Sequence, residues 1–272
     1  MVHRRTGTSA RAAEAIAFVA VWVAAGYLLP VTSNGYLLLG IPLTAAFQVL
    51  VRRRPLRELW AAGTARFRLD VRGVLLATVL ALVPAAYAVR SLRHDDWATT
   101  GWYLAATAGA VCAAFAIRTG SAGSALRSAA LPVAVGAGGM TLVYGTLHLL
   151  SGTPLPVTDA LLALPTYVAL YVPATFLLEE VSFRGAVDAH VHHDDRTRGW
   201  ASAVLVSALW GLWHLPVSRA LPFPLQLVEL VVVHIALGVP LSLAWRRTHN
   251  LAGPALAHAV NDAVRNAVML GL

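Results

Sequence analysis

Three groups of residues in this chain have the types and spacing that hydrolytic chemistry needs. The first is in "LLEEVSFRGAV", Leu177 to Val187, where Glu179, Glu180 and Arg184 interrupt an apolar run. On a helix Glu180 and Arg184 share a face at i and i+4 and can pair, whereas Glu179 points about 100° away and is left free for chemistry. The second is His214 in "ALWGLWHLP", with Trp210 four residues earlier on the same face. The third is "PALAHAVNDAV", with His258 and Asp262 at i and i+4 and Asn261 between them. Such a pair can ligate a metal, orient a base or simply form an ion pair. Taken singly, the first group also reads as a salt-bridge cluster at a membrane rim, and His214 as a packing histidine. Taken together, a carboxylate and a histidine can activate a water for attack on a carbonyl while a second polar pair stabilises the oxyanion, which is peptide hydrolysis. Ser182 and Ser207 lack a base in any recognisable arrangement, and no G-x-S-x-G occurs.

The elements that must position these groups are membrane spans. Of 272 residues, 58% are hydrophobic and 12% charged, far from soluble usage. The expected fold is all-α, a polytopic bundle of about nine spans (eight to nine) near 13–31, 35–51, 73–89, 97–117, 129–150, 160–183, 200–217, 224–245 and 251–270. The first follows Arg4, Arg5 and Arg11 without a small-residue cleavage site, so it reads as a retained anchor. All 21 basic residues are arginine; with a cytoplasmic N-terminus, 17 fall on inner segments and four, Arg90, Arg93, Arg219 and Arg265, on the outer side. The formal charge of +8 is therefore assigned to lipid headgroups at inner loops and not to nucleic acid. The lone Cys112 reads as packing.

Depth joins the three groups. If the sixth helix runs to about His192 and turns at "HDDRTRG", Glu179 and His214 each lie about 20 Å from the turn and come level. His258, early in a span entering from the same side, reaches that layer.

The other polar residues read as structural. Glu229 and Arg265, on the eighth and ninth spans, are expected to pair. His148 and His234 are expected to be hydrogen-bonded core residues, and His190, His192 and His193 a solvated turn. Residues 52–72 read as an interfacial amphipathic helix, and "VAVGAGGM", Val133 to Met140, as a close-packing stretch.

The motifs carry a resemblance. "EEVSFR", Trp210 to His214, and His258 to Asp262 are similar, in this order and at similar separations, to the E-E-x-x-x-R, F-x-x-x-H and H-x-x-x-(N or D) motifs of the CAAX protease and bacteriocin-processing (CPBP, or Abi) family. That family includes the type II CAAX prenyl endopeptidase. The resemblance covers roughly 160–265 and implies one membrane domain, with spans of unassigned role over 1–150 and a catalytic core over 160–272. It implies that Glu179 and His214 activate water with support from Glu180 and Arg184, and that His258 and Asp262 hold the oxyanion or complete a metal site. Trp210 replaces phenylalanine, a mild change of bulk. Asp262 stands where asparagine is common, and an ionised aspartate repels an oxyanion, so Asp262 is protonated, Asn261 or His258 donates instead, or a divalent ion is held there. Zinc on Glu179, His214, His258 and Asp262 is one such reading; the absence of HExxH favours the metal-free one.

The implied partners are a membrane-associated peptide or protein substrate and membrane lipid, with no nucleic acid. The all-arginine basic set suggests a bacterial plasma membrane and makes prenylated substrates unexpected. Two competing functions use the same residues: a non-catalytic immunity-type scaffold, and a proton-coupled transporter with a buried relay.

Overall fold

A computed structural model describes residues 8–63, 66–192, 199–218 and 221–270. Arg4, Arg5, His193 and Arg219 lie outside the described residues. The chain folds as α1 (Thr8–Leu28), α2 (Ser33–Leu38), α3 (Gly40–Ala46), α4 (Val71–Leu92), α5 (Trp97–Thr119), α6 (Ala122–Ser151), α7 (Val157–Thr175), α8 (Ala189–Val191), α9 (Trp200–Trp213), α10 (Phe223–Thr248) and α11 (Ala252–Val268). Among the described residues the sole β-type pairing is an isolated bridge between Ala61 and Asn250.

Seven segments are long and apolar enough to cross a membrane, and the protein is a multi-pass helical bundle. The 14-residue α9 and the 17-residue α11 fall short of that length. Small polar residues start the helices by accepting from backbone amides that have no partner in the first turn: Thr32 from Gly35, Asp70 from Gly73, Asp96 from Thr99 and Ser121 from Ser124. Gly152 ends α6 in the left-handed conformation, φ 70°, where a side chain is disfavoured. Asp70 also accepts from Arg118, joining the start of α4 to the end of α5, and this contact holds the Asp70 carboxyl below its ordinary pKa range.

The chain from Val157 to Val191 runs unbroken, and its middle, Phe176–Asp188, is π-helical. The wider turn begins three residues after Pro173, which has no N–H to give the helical ladder. Around it the contacts are too close for larger side chains. A Cβ on Gly109 would lie 2.2 Å from the Pro173 carbonyl oxygen, and one on Gly185 would lie 2.2 Å from that of Leu59. Arg52 donates to the carbonyls of Gly185 and Ala189, tying the π-helical end to the π-helical Phe47–Val51 that follows α3.

Four expectations about the periphery are corrected. Residues 52–72 do not form an amphipathic helix: the described part holds a single 3-10 turn, Leu56–Leu59, with Leu59 buried against the π-helical stretch. Pro55 and Gly63, the latter at φ 76°, account for the interruption. Arg246 is not a lipid-facing loop arginine; it is buried and pairs with buried Asp188, and it donates to the Gly199 carbonyl and Ser202, fastening the end of α10 to the start of α9. His190 is not in a solvated turn, since it is buried against Phe47 and 2.7 Å from a Glu14 carboxylate oxygen. In the glycine-rich stretch only Gly136 makes a close approach, to Asn261, while Gly138 and Gly139 face open space.

Gly185→Ala is expected to destabilise the protein by about 1–3 kcal/mol, because the obstructing atom is backbone and cannot rotate away. Gly145→Ala, where a methyl meets no atom within 4 Å, is expected to be neutral or stabilising. Thermal unfolding of both variants in one detergent, followed by tryptophan fluorescence, checks the contrast.

Candidate active site

The polar residues meet at one end of a cavity of about 670 Å³ lined by α2, α5, α6, α7, the π-helical stretch, α9, α10 and α11. Its innermost contact is the fully buried pair Glu180 and Arg184, with Arg184 Nη1 donating to Glu180 Oε1 at 2.9 Å. The same oxygen lies 2.8 Å from His258 Nδ1. A carboxylate oxygen accepts, so Nδ1 carries a proton and His258 Nε2 is turned the other way. There it is 3.8 Å from Glu179 Oε2 and 3.5 Å from Asp262 Oδ2.

His214 is set by its own helix end. Its Nδ1 lies 2.9 Å from the Trp210 carbonyl oxygen, which can only accept, so in the neutral ring Nε2 keeps its lone pair. That Nε2 is 3.9 Å from Glu179 Oε2. The preceding residue is anchored by aromatic packing and hydrogen bonds: Trp22 Nε1 donates to the Tyr36 carbonyl at 3.1 Å, and the Tyr36 hydroxyl donates to the Trp213 carbonyl at 2.7 Å. Glu179, His214 and His258 thus converge on one carboxylate oxygen from three separate elements.

Trp210 is more than a change of bulk, which corrects the sequence reading. Its Nε1–H donates to Glu179 Oε2 at 2.8 Å, a bond phenylalanine cannot make. Its ring face carries the Arg184 guanidinium, 4.3 Å from the centroid, and its edge meets His234 and His258.

The expected pair of Glu229 and Arg265 does not form. Arg265 is one turn beyond Asp262 on α11 and pairs with it instead, Nη1 to Oδ1 at 3.1 Å; i and i+3 on one helix is a shorter reach than a neighbouring helix. Glu229 lines the cavity elsewhere and has no pairing partner among the described residues. Asn261 donates weakly to the Pro132 carbonyl at 3.4 Å, and its buried Oδ1 has no partner among the described residues. His148 is hydrogen-bonded to Thr153 and the Val268 carbonyl, away from the cavity. Ser182 bonds to Thr44 and Ser207 to the Ala203 carbonyl, so neither presents a nucleophile.

His234 is hydrogen-bonded, Nδ1 to the Leu230 carbonyl at 2.6 Å, yet its ring also lines the cavity 4.3 Å from that of His214. Sequence reading placed it in the core because nothing in "VVVHIAL" marks one face over another; only the packing of α10 on α9 reveals the neighbour.

The donor set suits a divalent ion. One oxygen or nitrogen from each of Glu179, His258 and Asp262 lies within 4.8 Å of the others. His214 stands outside that trio, with Nε2 3.9 Å from Glu179 Oε2, and one imidazole with two carboxylates is a donor set that a divalent cation accepts. The ion-free balance is also simple: three carboxylates, Glu179, Glu180 and Asp262, face two guanidiniums, Arg184 and Arg265, leaving one negative charge.

This end of the cavity is built almost wholly from the C-terminal part of the chain. Residues 160–264 match the family described as type II CAAX prenyl endopeptidase Rce1-like. That segment is similar to this family of CAAX-type proteases. The Rce1-like segment runs from α7 into α11 and contains Glu179, Glu180, Arg184, Trp210, His214, His258 and Asp262. No curated protein and no solved structure matches the chain.

Arg184→Met is expected to cost about 3–5 kcal/mol of stability, since it strands the Glu180 carboxylate without its cation. The double variant E180Q/R184M, which buries no ionised pair, is expected to recover more than half of that loss in the same thermal unfolding measurement.

Proposed function

We propose that the protein is an endopeptidase that hydrolyses a peptide bond near the cytoplasmic face of a bacterial plasma membrane with a water activated by Glu179 and His214. The observation that supports this is the gap at Glu179 Oε2, 3.9 Å from one imidazole Nε2 and 3.8 Å from another, inside the cavity. Atoms so spaced are too far apart to bond directly and close enough for one water to bridge.

The proposed reaction runs as follows. Glu179 takes a proton from the bridging water while the His214 Nε2 lone pair accepts its second hydrogen, which orients the oxygen. The water oxygen bonds to the peptide carbonyl carbon, and the carbonyl π pair moves onto oxygen. His258, with Nδ1 bonded to Glu180 and a second proton on Nε2 that offsets the site's net negative charge, donates to this oxyanion. When the tetrahedral intermediate collapses, the C–N bond breaks and the proton held by Glu179 passes to the leaving amine.

An ionised Asp262 alone would repel the oxyanion. Its pairing with Arg265 answers that objection, because the guanidinium's charge offsets that of the carboxylate. A zinc ion would be held by Glu179, His258 and Asp262 and would supply Lewis-acid polarisation of the carbonyl.

Glu179→Ala and His214→Ala are each expected to lower kcat on a membrane-anchored peptide by about 10²–10⁴-fold without loss of folded protein, measured on purified enzyme with and without chelator. Trp210→Phe, which removes the N–H donated to Glu179 and shrinks the ring face that carries Arg184, is expected to lower kcat by about 10- to 100-fold with KM unchanged. Steady-state kinetics on the same peptide separates the two constants.

A further inference from the structure

Glu229 is a carboxylate in a membrane-spanning helix that the catalytic arrangement does not use. On α10 it lies between Val228 and Val232, about 60% and 59% exposed on the outer face, and the cavity wall formed by Leu230, Val233 and His234. Glu229 itself is exposed at the rim of the cavity, where its carboxylate is open to a group entering from outside, and a cation placed beside it there gains an attraction that a neutral group does not. Among the described residues lining the cavity, Arg265 is the one guanidinium, and it is committed to Asp262. Glu229 makes no hydrogen bond or ion pair with any described residue.

We infer that Glu229 selects substrates carrying a basic side chain, lysine or arginine, close to the scissile bond. This rests on the endopeptidase reading above. The position sets the distance. Glu229 precedes His234 by five residues, about 7.5 Å along the helix, and the His234 ring is 4.3 Å from that of His214. An extended peptide advances about 3.3 Å per residue, so the basic residue falls two or three positions from the bond cleaved. The cation of the substrate supplies the counterion that no described residue provides, and substrates with a neutral or acidic side chain there leave Glu229 unpaired or repelled.

The test uses the full chain in lipid nanodiscs and pairs of membrane-anchored peptides that differ by lysine or methionine at each of the three positions on either side of the cleaved bond. At one position kcat/KM for lysine is expected to exceed that for methionine by about tenfold. In Glu229→Gln that ratio is expected to fall below about twofold, and in Glu229→Lys a glutamate peptide is expected to become the preferred one. An unchanged ratio in Glu229→Gln, or equal cleavage of lysine and methionine peptides by the wild type, overturns the inference while leaving the hydrolase intact. Affinity of the same peptides, measured by fluorescence anisotropy, gives a readout independent of cleavage. Tighter binding of the lysine peptide that is lost in Glu229→Gln, with no peptide ever cleaved, supports the role of Glu229 and overturns the endopeptidase reading instead.

Discussion

One carboxylate oxygen organises the site. Glu180 Oε1 accepts from the Arg184 guanidinium and from His258 at once, 2.9 and 2.8 Å away, with the Glu180 and Arg184 side chains wholly removed from solvent. Two buried charges survive together because each cancels much of the other's desolvation penalty, and the third partner fixes their register. The bond to His258 draws α11 onto the π-helical stretch, chooses which imidazole nitrogen faces the cavity, and aims it at Glu179. Arg184 extends the same influence to α9 by lying on the face of Trp210. Among the described residues Glu180 Oε2 and Arg184 Nε and Nη2 have no hydrogen-bond partner, so the cluster holds its shape through few, strong contacts.

Around this kernel the other elements act as supports. In the core Tyr36 stacks on Trp213 while Trp22 meets Trp213 in a T-shaped contact, and together they fix the end of α9 one residue before His214. Arg52 and Leu59 press on the carbonyl side of the π-helical turn, where only glycine at position 185 leaves room. Segments outside the Rce1-like region thereby set the position of residues inside it.

Much of the helical layout was legible from length and hydropathy, because lipid forces every backbone group into internal hydrogen bonds and so makes spans long and uniform. The i, i+4 pairing of Glu180 with Arg184 was legible too, since it needs only local geometry. Partnerships between elements were not. Arg265 could be matched with Glu229 or Asp262 on charge alone, and local reach decided for Asp262. Trp210 looked like a bulkier phenylalanine because a sequence shows the residue and not where its N–H points. Arg246 and His190 looked solvated because polar residues near turns usually are; here two acids, the buried Asp188 and the partly exposed Glu14, meet them from elsewhere in the chain.

The brevity of α9 has a consequence for the solvent. Fourteen residues rise about 21 Å, against roughly 30 Å of hydrocarbon in an ordinary bilayer. Beyond Val204 none of its residues is exposed, so the far end of α9 stops among neighbouring helices and not against lipid. His214 caps that short segment and lines the cavity. The route by which water reaches it is therefore the cavity itself.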